Sequence, residues 1–205
     1  MTSTPAVSTD SASASTSAAE VDEYGLPGGF PPGTELPMAD ARFETARRFL
    51  LREATLLDNG RPRAWLGTLH PDLSYRVPVR VTRWRADGPG FTGSMHMDET
   101  FGSLEGRVSR LETNFAWGED PPSRTRRFVT NLHVEQQTDD PERLNVSSYL
   151  MVTRSRWDNP TYQLISGERR DILAGDPETS EYRLLRRYVL LDQSNLGTVN
   201  MALFL

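Results

Sequence analysis

At 205 residues the chain has room for one domain of common size plus a tail, and not for two large ones. Its formal charge of −5 gives no reason to expect nucleic acid or an anionic membrane as partner. The absence of cysteine excludes disulfides and every thiolate metal site. No apolar run approaches the ~18–20 residues of a membrane span. The front also lacks a basic region followed by an apolar stretch. The expectation is a soluble, cytoplasmic protein without a secretory leader. All 23 basic residues are arginine. GC-rich coding bias is sufficient cause, yet the planar donor fork of arginine also suits polar contacts between subunits.

In chain order, residues 1–38 read as a tail and 39–205 as the folded domain. The first twenty residues are a Ser/Thr/Ala tract whose few apolar side chains cannot offset the entropy of ordering it. The next stretch, VDEYGLPGGFPPGTELP, is rich in Gly and Pro and reads as extended. It is either a plain linker or an arm laid across a partner subunit. From Asp40, a candidate N-cap, Phe43, Ala46, Leu50, Ala54 and Leu57 recur at helical spacing, and Asn59-Gly60 ends the helix. A shorter helix is predicted from Pro62 to about Leu69, with Trp65 and Leu66 inward.

The period then changes to two. Leu73, Tyr75, Val77, Val79 and Val81 alternate with polar residues, a half-buried strand in which Pro78 marks an edge or a bulge. Residues 85–100 read as a long loop, and Ser103 to Thr113 as a short helix carrying Leu104, Val108 and Leu111. Long strands follow at about 127–137, 144–156, 161–173 and 182–193, separated by Asp/Asn/Gly-Pro turns. Helices first and antiparallel strands later is the order of an α+β fold in which helices cover one face of a curved sheet.

Two of these strands carry apolar residues on both faces. Val146, Leu150 and Val152 alternate with Tyr149 and Met151, and Tyr182–Leu191 is mixed in the same way. Helices on one side leave the second set bare, and another subunit is the economical cover. The apolar end, Val199–Leu205, asks for burial too.

Candidate chemistry is sparse. A Rieske cluster needs two Cys and two His, and mononuclear iron needs two His and a carboxylate. The chain offers only His70, His96 and His133, at no ligand spacing. No G-x-S-x-G elbow and no Gly-rich phosphate loop is present. An acid or base buried in a cone-shaped sheet is the remaining catalytic option, with Asp58, Tyr75, His133 and Tyr149 as candidates. Each has an ordinary structural role as its competing explanation.

The segment Asn114–Arg127, NFAWGEDPPSRTRR, resembles the AWAEDPPSRTRR stretch of the β subunits of aromatic-ring-hydroxylating (Rieske non-haem iron) dioxygenases. Gly118 replaces a frequent Ala. Further similarities follow in order: Arg47–Ala54 with Leu56-Leu57-Asp58, Tyr75–Arg80, Asn131 with Val134, Gly167–Asp171, and Leu190–Ser194 with Asn200 and Phe204-Leu205. Together they span about residues 40–205.

The resemblance implies an NTF2-like or cystatin-like cone that assembles with a large α subunit, as three of each, and with other β subunits. It implies that the Rieske [2Fe-2S] cluster and the mononuclear iron lie in that partner, which a ferredoxin and reductase supply with electrons. It further implies conversion of an aromatic compound to a cis-dihydrodiol with O₂. No catalytic, cofactor or metal residue is then expected in this chain. The candidate interface comprises Trp117, Glu119, Asp120, Pro121, Pro122, Arg124, Arg126, Phe204 and Leu205, because Pro-Pro fixes an extended turn and the charged groups make directional contacts. A stand-alone cone isomerase or dehydratase, or a ligand-binding cone, is the alternative.

Overall fold

Asp40 caps the first helix, its carboxylate accepting the Arg42 N–H at 2.8 Å. Helix α1 runs Ala41–Asp58 and stops at Asn59, with Gly60 at φ +64° completing the left-handed exit. Helix α2 is Pro62–Leu66, shorter than expected because Leu69 already opens a strand. Helix α3, Phe101–Leu111, starts in a Thr100–Ser103 capping box. The strands are β1 Gly33–Glu35, β2 Leu69–Arg80, β3 Phe91–Thr100, β4 Arg124–Gln137, β5 Arg143–Ser155, β6 Gln163–Gly175 and β7 Tyr182–Leu191. The computed structural model describes residues 21–23, 25–113, 121–175, 181–197 and 203–205.

Among the described residues the strands form one sheet, in the order β1-β4-β5-β6-β7-β2-β3. Every pairing is antiparallel except β2 with β7, which are parallel. The α+β expectation holds, with two corrections. Residues 85–100 are not one loop: a single 3₁₀ turn at Arg85–Asp87 leads into β3, which pairs with β2 and buries Phe91 and Met97. An edge strand needs only one apolar set, and Gly93 interrupts even that one in the sequence. Pro78 sits in an internal strand, where the β2–β3 register shifts on both sides of it, so the bulge reading is the correct one.

The folded part also begins earlier than Ala39. Strand β1 pairs with β4, and Leu36 is in the core. The described residues between 21 and 32 lie against this chain's own β6 and β7. Asp22 pairs with Arg170 at 2.8 Å, and Arg186 donates to the Gly29 carbonyl at 2.6 Å. Gly28, at φ +82°, passes so close that a Cβ there would stand 2.7 Å from Tyr188. Residues 1–20 lie outside the described residues.

The helices cover one face of the sheet. There Phe43, Ala46, Phe49 and Leu50 of α1, Trp65 of α2 and Leu104 and Val108 of α3 meet Val134, Val146, Leu150, Val152, Ile165 and Val189. Each large apolar side chain so buried contributes about 1.5–3 kcal/mol.

Candidate subunit interface

An acid–base site in a cone of this kind is expected on the inner face, and the buried charged groups there are paired with one another. Glu53 occupies a core position of α1. Its carboxylate accepts from Trp65 Nε1 at 2.9 Å, from Arg187 at 2.8 Å through each oxygen, and from Arg169 at 3.1 Å. Arg187 also makes a two-toothed pair with Asp171, at 2.8 and 2.7 Å. All four charged groups are essentially inaccessible to water. Burial alone would raise the Glu53 pKa, but Arg187 and Arg169 hold it at about 2. Burial disfavours the Arg187 cation, yet Asp171 and Glu53 outweigh this and raise its pKa well above the ordinary value. Glu53 and Arg187 are thus held in their charged forms, which suits a structural clamp and not proton transfer near neutrality.

The four acid–base candidates do not converge. Asp58 accepts from the Arg127 N–H at 2.7 Å and from Thr125 Oγ1 at 2.9 Å, tying the end of α1 to β4. Tyr75 is fully buried, its hydroxyl donating to the Leu205 main-chain oxygen at 2.7 Å. His133 is exposed beside Glu135 and Glu35. Tyr149 faces outward, 53% exposed. His70, His96 and His133 lie on β2, β3 and β4, and no group of three metal-ligating side chains occurs among the described residues. The donor set does not fit a Rieske cluster, which needs two thiolates.

The outer face divides into two halves. Over β6 and β7, where Gly28 packs on Tyr188 and Asp22 and Gly29 bind Arg170 and Arg186, Tyr188, Leu190 and Ile172 are at most 5% exposed. Over β4 and β5 the described residues leave the face open. There Phe128 pairs across with Met151, Thr130 with Tyr149, and Leu164 with Thr153, so their side chains share one surface. Phe128 is 50% exposed, Met151 39% and Leu164 46%. The β5–β6 turn adds Trp157 and Tyr162, both more than half exposed. Together these six residues present on the order of 500 Å² of apolar surface, as large as the biggest patch on a typical monomer and most of the roughly 800 Å² that one partner contributes to a standard interface.

The predicted interface residues fall variously against this surface. Trp117, Glu119 and Asp120 lie outside the described residues. Pro121 and Pro122 are exposed and lead into β4 at the edge of the open patch. Arg124 is exposed and donates to Ser155 Oγ at 3.1 Å and the Trp157 carbonyl at 2.7 Å, fixing the aromatic turn. Arg126 is exposed on the same face, donating to the Thr125 carbonyl at 2.6 Å. Phe204 and Leu205 do not belong to a surface. They are 4% and 0% exposed inside this chain's own core, so the apolar end needs no other subunit to cover it. Sequence reasoning missed Phe128, Trp157, Tyr162 and Leu164, although Phe128 and Leu164 occupy the outward phase of strands it had delimited.

The family described as "Ring hydroxylating beta subunit" matches residues 52–198. The chain is 37% identical over 160 residues to the 3-phenylpropionate/cinnamic acid dioxygenase subunit beta of Photorhabdus laumondii, covering 76% of this chain and 87% of that one. It superposes on a chain of naphthalene 1,2-dioxygenase, solved with indole bound in the active site, with a TM-score of 0.70 and 29% identity, covering 79% of this chain and 84% of the other. At the level of fold alone it matches the beta subunit of the benzoate 1,2-dioxygenase of Burkholderia mallei, with a TM-score of 0.59 and 20% identity, over 82% of this chain and 100% of that one. The architecture is the NTF2-like cone.

Proposed function

The chain belongs to the ring-hydroxylating β-subunit family, and from that premise we propose that it is the non-catalytic small subunit of an aromatic-ring-hydroxylating dioxygenase. It docks on a large α subunit and on further copies of itself, three of each. The α subunit holds the Rieske [2Fe-2S] cluster and the mononuclear iron and receives electrons from a ferredoxin and reductase. The assembly acts in the cytoplasm and converts an aromatic compound to a cis-dihydrodiol with O₂. The observation that carries the reading is the open aromatic half of the outer face, on a chain whose buried charged groups are paired with one another.

On this reading the residues of the chain do mechanical work. Glu53, Arg169, Arg187 and Asp171 keep the sheet at one curvature, and Asp58 with Arg127 pins α1 to β4. Phe128, Tyr149, Met151 and Leu164 then stand on a fixed surface, with Arg124 and Arg126 for directional contacts at its edge. Pre-organised surfaces of this kind lose little entropy on docking. No step of the oxygen chemistry is assigned to this chain.

The test is co-expression with the large subunit. The pair is expected to elute together as a mixed assembly that oxidises an aromatic substrate, while this chain alone binds no iron and turns over none. Turnover by the isolated, metal-free chain would instead establish the stand-alone cone enzyme.

A further inference from the structure

The residues Leu203–Leu205 have no regular secondary structure and pair with no strand, yet they are among the most buried in the molecule. Side chains from separate elements hold them. The Tyr75 hydroxyl of β2 donates to the Leu205 main-chain oxygen and accepts the Leu205 N–H, each at 2.7 Å. Arg187 Nη1 of β7 donates to the same oxygen at 2.9 Å, and Arg127 Nη2 of β4 donates to the Phe204 carbonyl at 2.5 Å. The Phe204 ring stacks on Trp65 of α2 with centroids 4.6 Å apart, and the Arg107 guanidinium of α3 lies 5.6 Å from its centre.

Four of these groups are also held by partners other than the segment, Arg107 by Glu99 at 2.6 Å. Glu53 and Asp171 fix Arg187, Asp58 fixes Arg127, and the Trp65 indole N–H is bound to Glu53. These groups are therefore anchored by the fold as well as by the segment, whereas both bonds of the Tyr75 hydroxyl go to Leu205. An aromatic slot, an aliphatic slot beside it and donors aimed at main-chain oxygens are the parts of a peptide-recognition site.

We propose that the interior of the cone is a binding site for an extended aromatic–aliphatic peptide segment, which Leu203–Leu205 occupies in cis. The proposal is independent of which subunits dock outside. An attached segment acts at an effective concentration in the millimolar range, so a free peptide competes only when the attached one is weakened.

In the full chain, Phe204→Ala is expected to lower the unfolding temperature by several degrees. Millimolar Ala-Leu-Phe-Leu should then restore at least half of that loss, whereas Ala-Leu-Ala-Leu restores none and the parent chain responds to neither. Unchanged stability in the variant, or a loss that Ala-Leu-Phe-Leu does not reverse, overturns the proposal. Should Phe204→Ala not fold, Tyr75→Phe keeps the ring and removes only the hydroxyl. Its Leu205 amide should exchange with solvent about tenfold faster than in the parent while β5 amides keep their rates. Equal exchange at Leu205 overturns the proposal.

Discussion

The two faces of the sheet arise from the same strands by the same alternation, and they end in opposite states. On the inner face Arg169, Asp171 and Arg187 alternate with outward-facing neighbours and are buried among partners, with the helices and Leu203–Leu205 completing the enclosure. On the outer face Phe128, Tyr149 and Met151 are apolar and wet. A charged cluster within the apolar inner core and an aromatic patch outside both depart from the ordinary distribution, and each departure has its own cause. Buried charges persist only when fully paired, and removing one partner is far worse than never having had the pair. A bare aromatic patch persists where a partner covers it. The inner face thus concerns folding, and the open half of the outer face concerns assembly.

That contrast can be broken from the inside first. Arg187→Leu strips Glu53 and Asp171 of their shared cation, and chemical denaturation should register a loss of about 3–5 kcal/mol. Acid should act on the same cluster. The Glu53 carboxyl sits near pKa 2 when folded against 4.5 as its ordinary value. Its contribution, on the order of 3 kcal/mol, is therefore complete above pH ~4.5 and lost as pH falls toward 2. Denaturation midpoints at pH 5 and pH 3 measure it, and the Arg187→Leu variant should show a flatter dependence.

Outer-face changes should behave in the reverse sense. Phe128→Ser with Tyr149→Ser is expected to move the stability of the isolated chain by no more than about 0.5 kcal/mol per site. The same double variant should weaken assembly by about 2 kcal/mol, roughly thirtyfold in affinity, read by titration against the large subunit. A modest effect belongs to the covered half. Asp22→Asn removes a largely buried charge from Arg170, which keeps Glu168, so the cost should be about 1 kcal/mol.

Much of this architecture was legible in the residues. Helix α1 declared itself through Asp40, its apolar period and Asn59-Gly60, and β4 to β7 through alternation between turns. The two-faced character of β5 was legible as well, since Tyr149 and Met151 interrupt an otherwise polar phase. The parallel pairing of β2 with β7 was not, because register between distant strands leaves no local trace. Glu53 looked like one more polar position of an amphipathic helix, and only the arrival of Arg169 and Arg187 from two distant strands makes its burial tolerable. Phe204 and Leu205 were correctly read as needing cover. Apolarity alone does not say whose core supplies it.

Side-chain oxidation by hydroxyl radicals, compared between the isolated chain and its complex with the large subunit, addresses the division of the outer face directly. Phe128, Tyr149, Met151, Trp157 and Tyr162 should react readily in the isolated chain and be strongly protected in the complex, while Tyr188 stays unreactive in both. If the complex forms and all five keep their isolated-chain reactivity, the open half of the sheet is not where subunits meet.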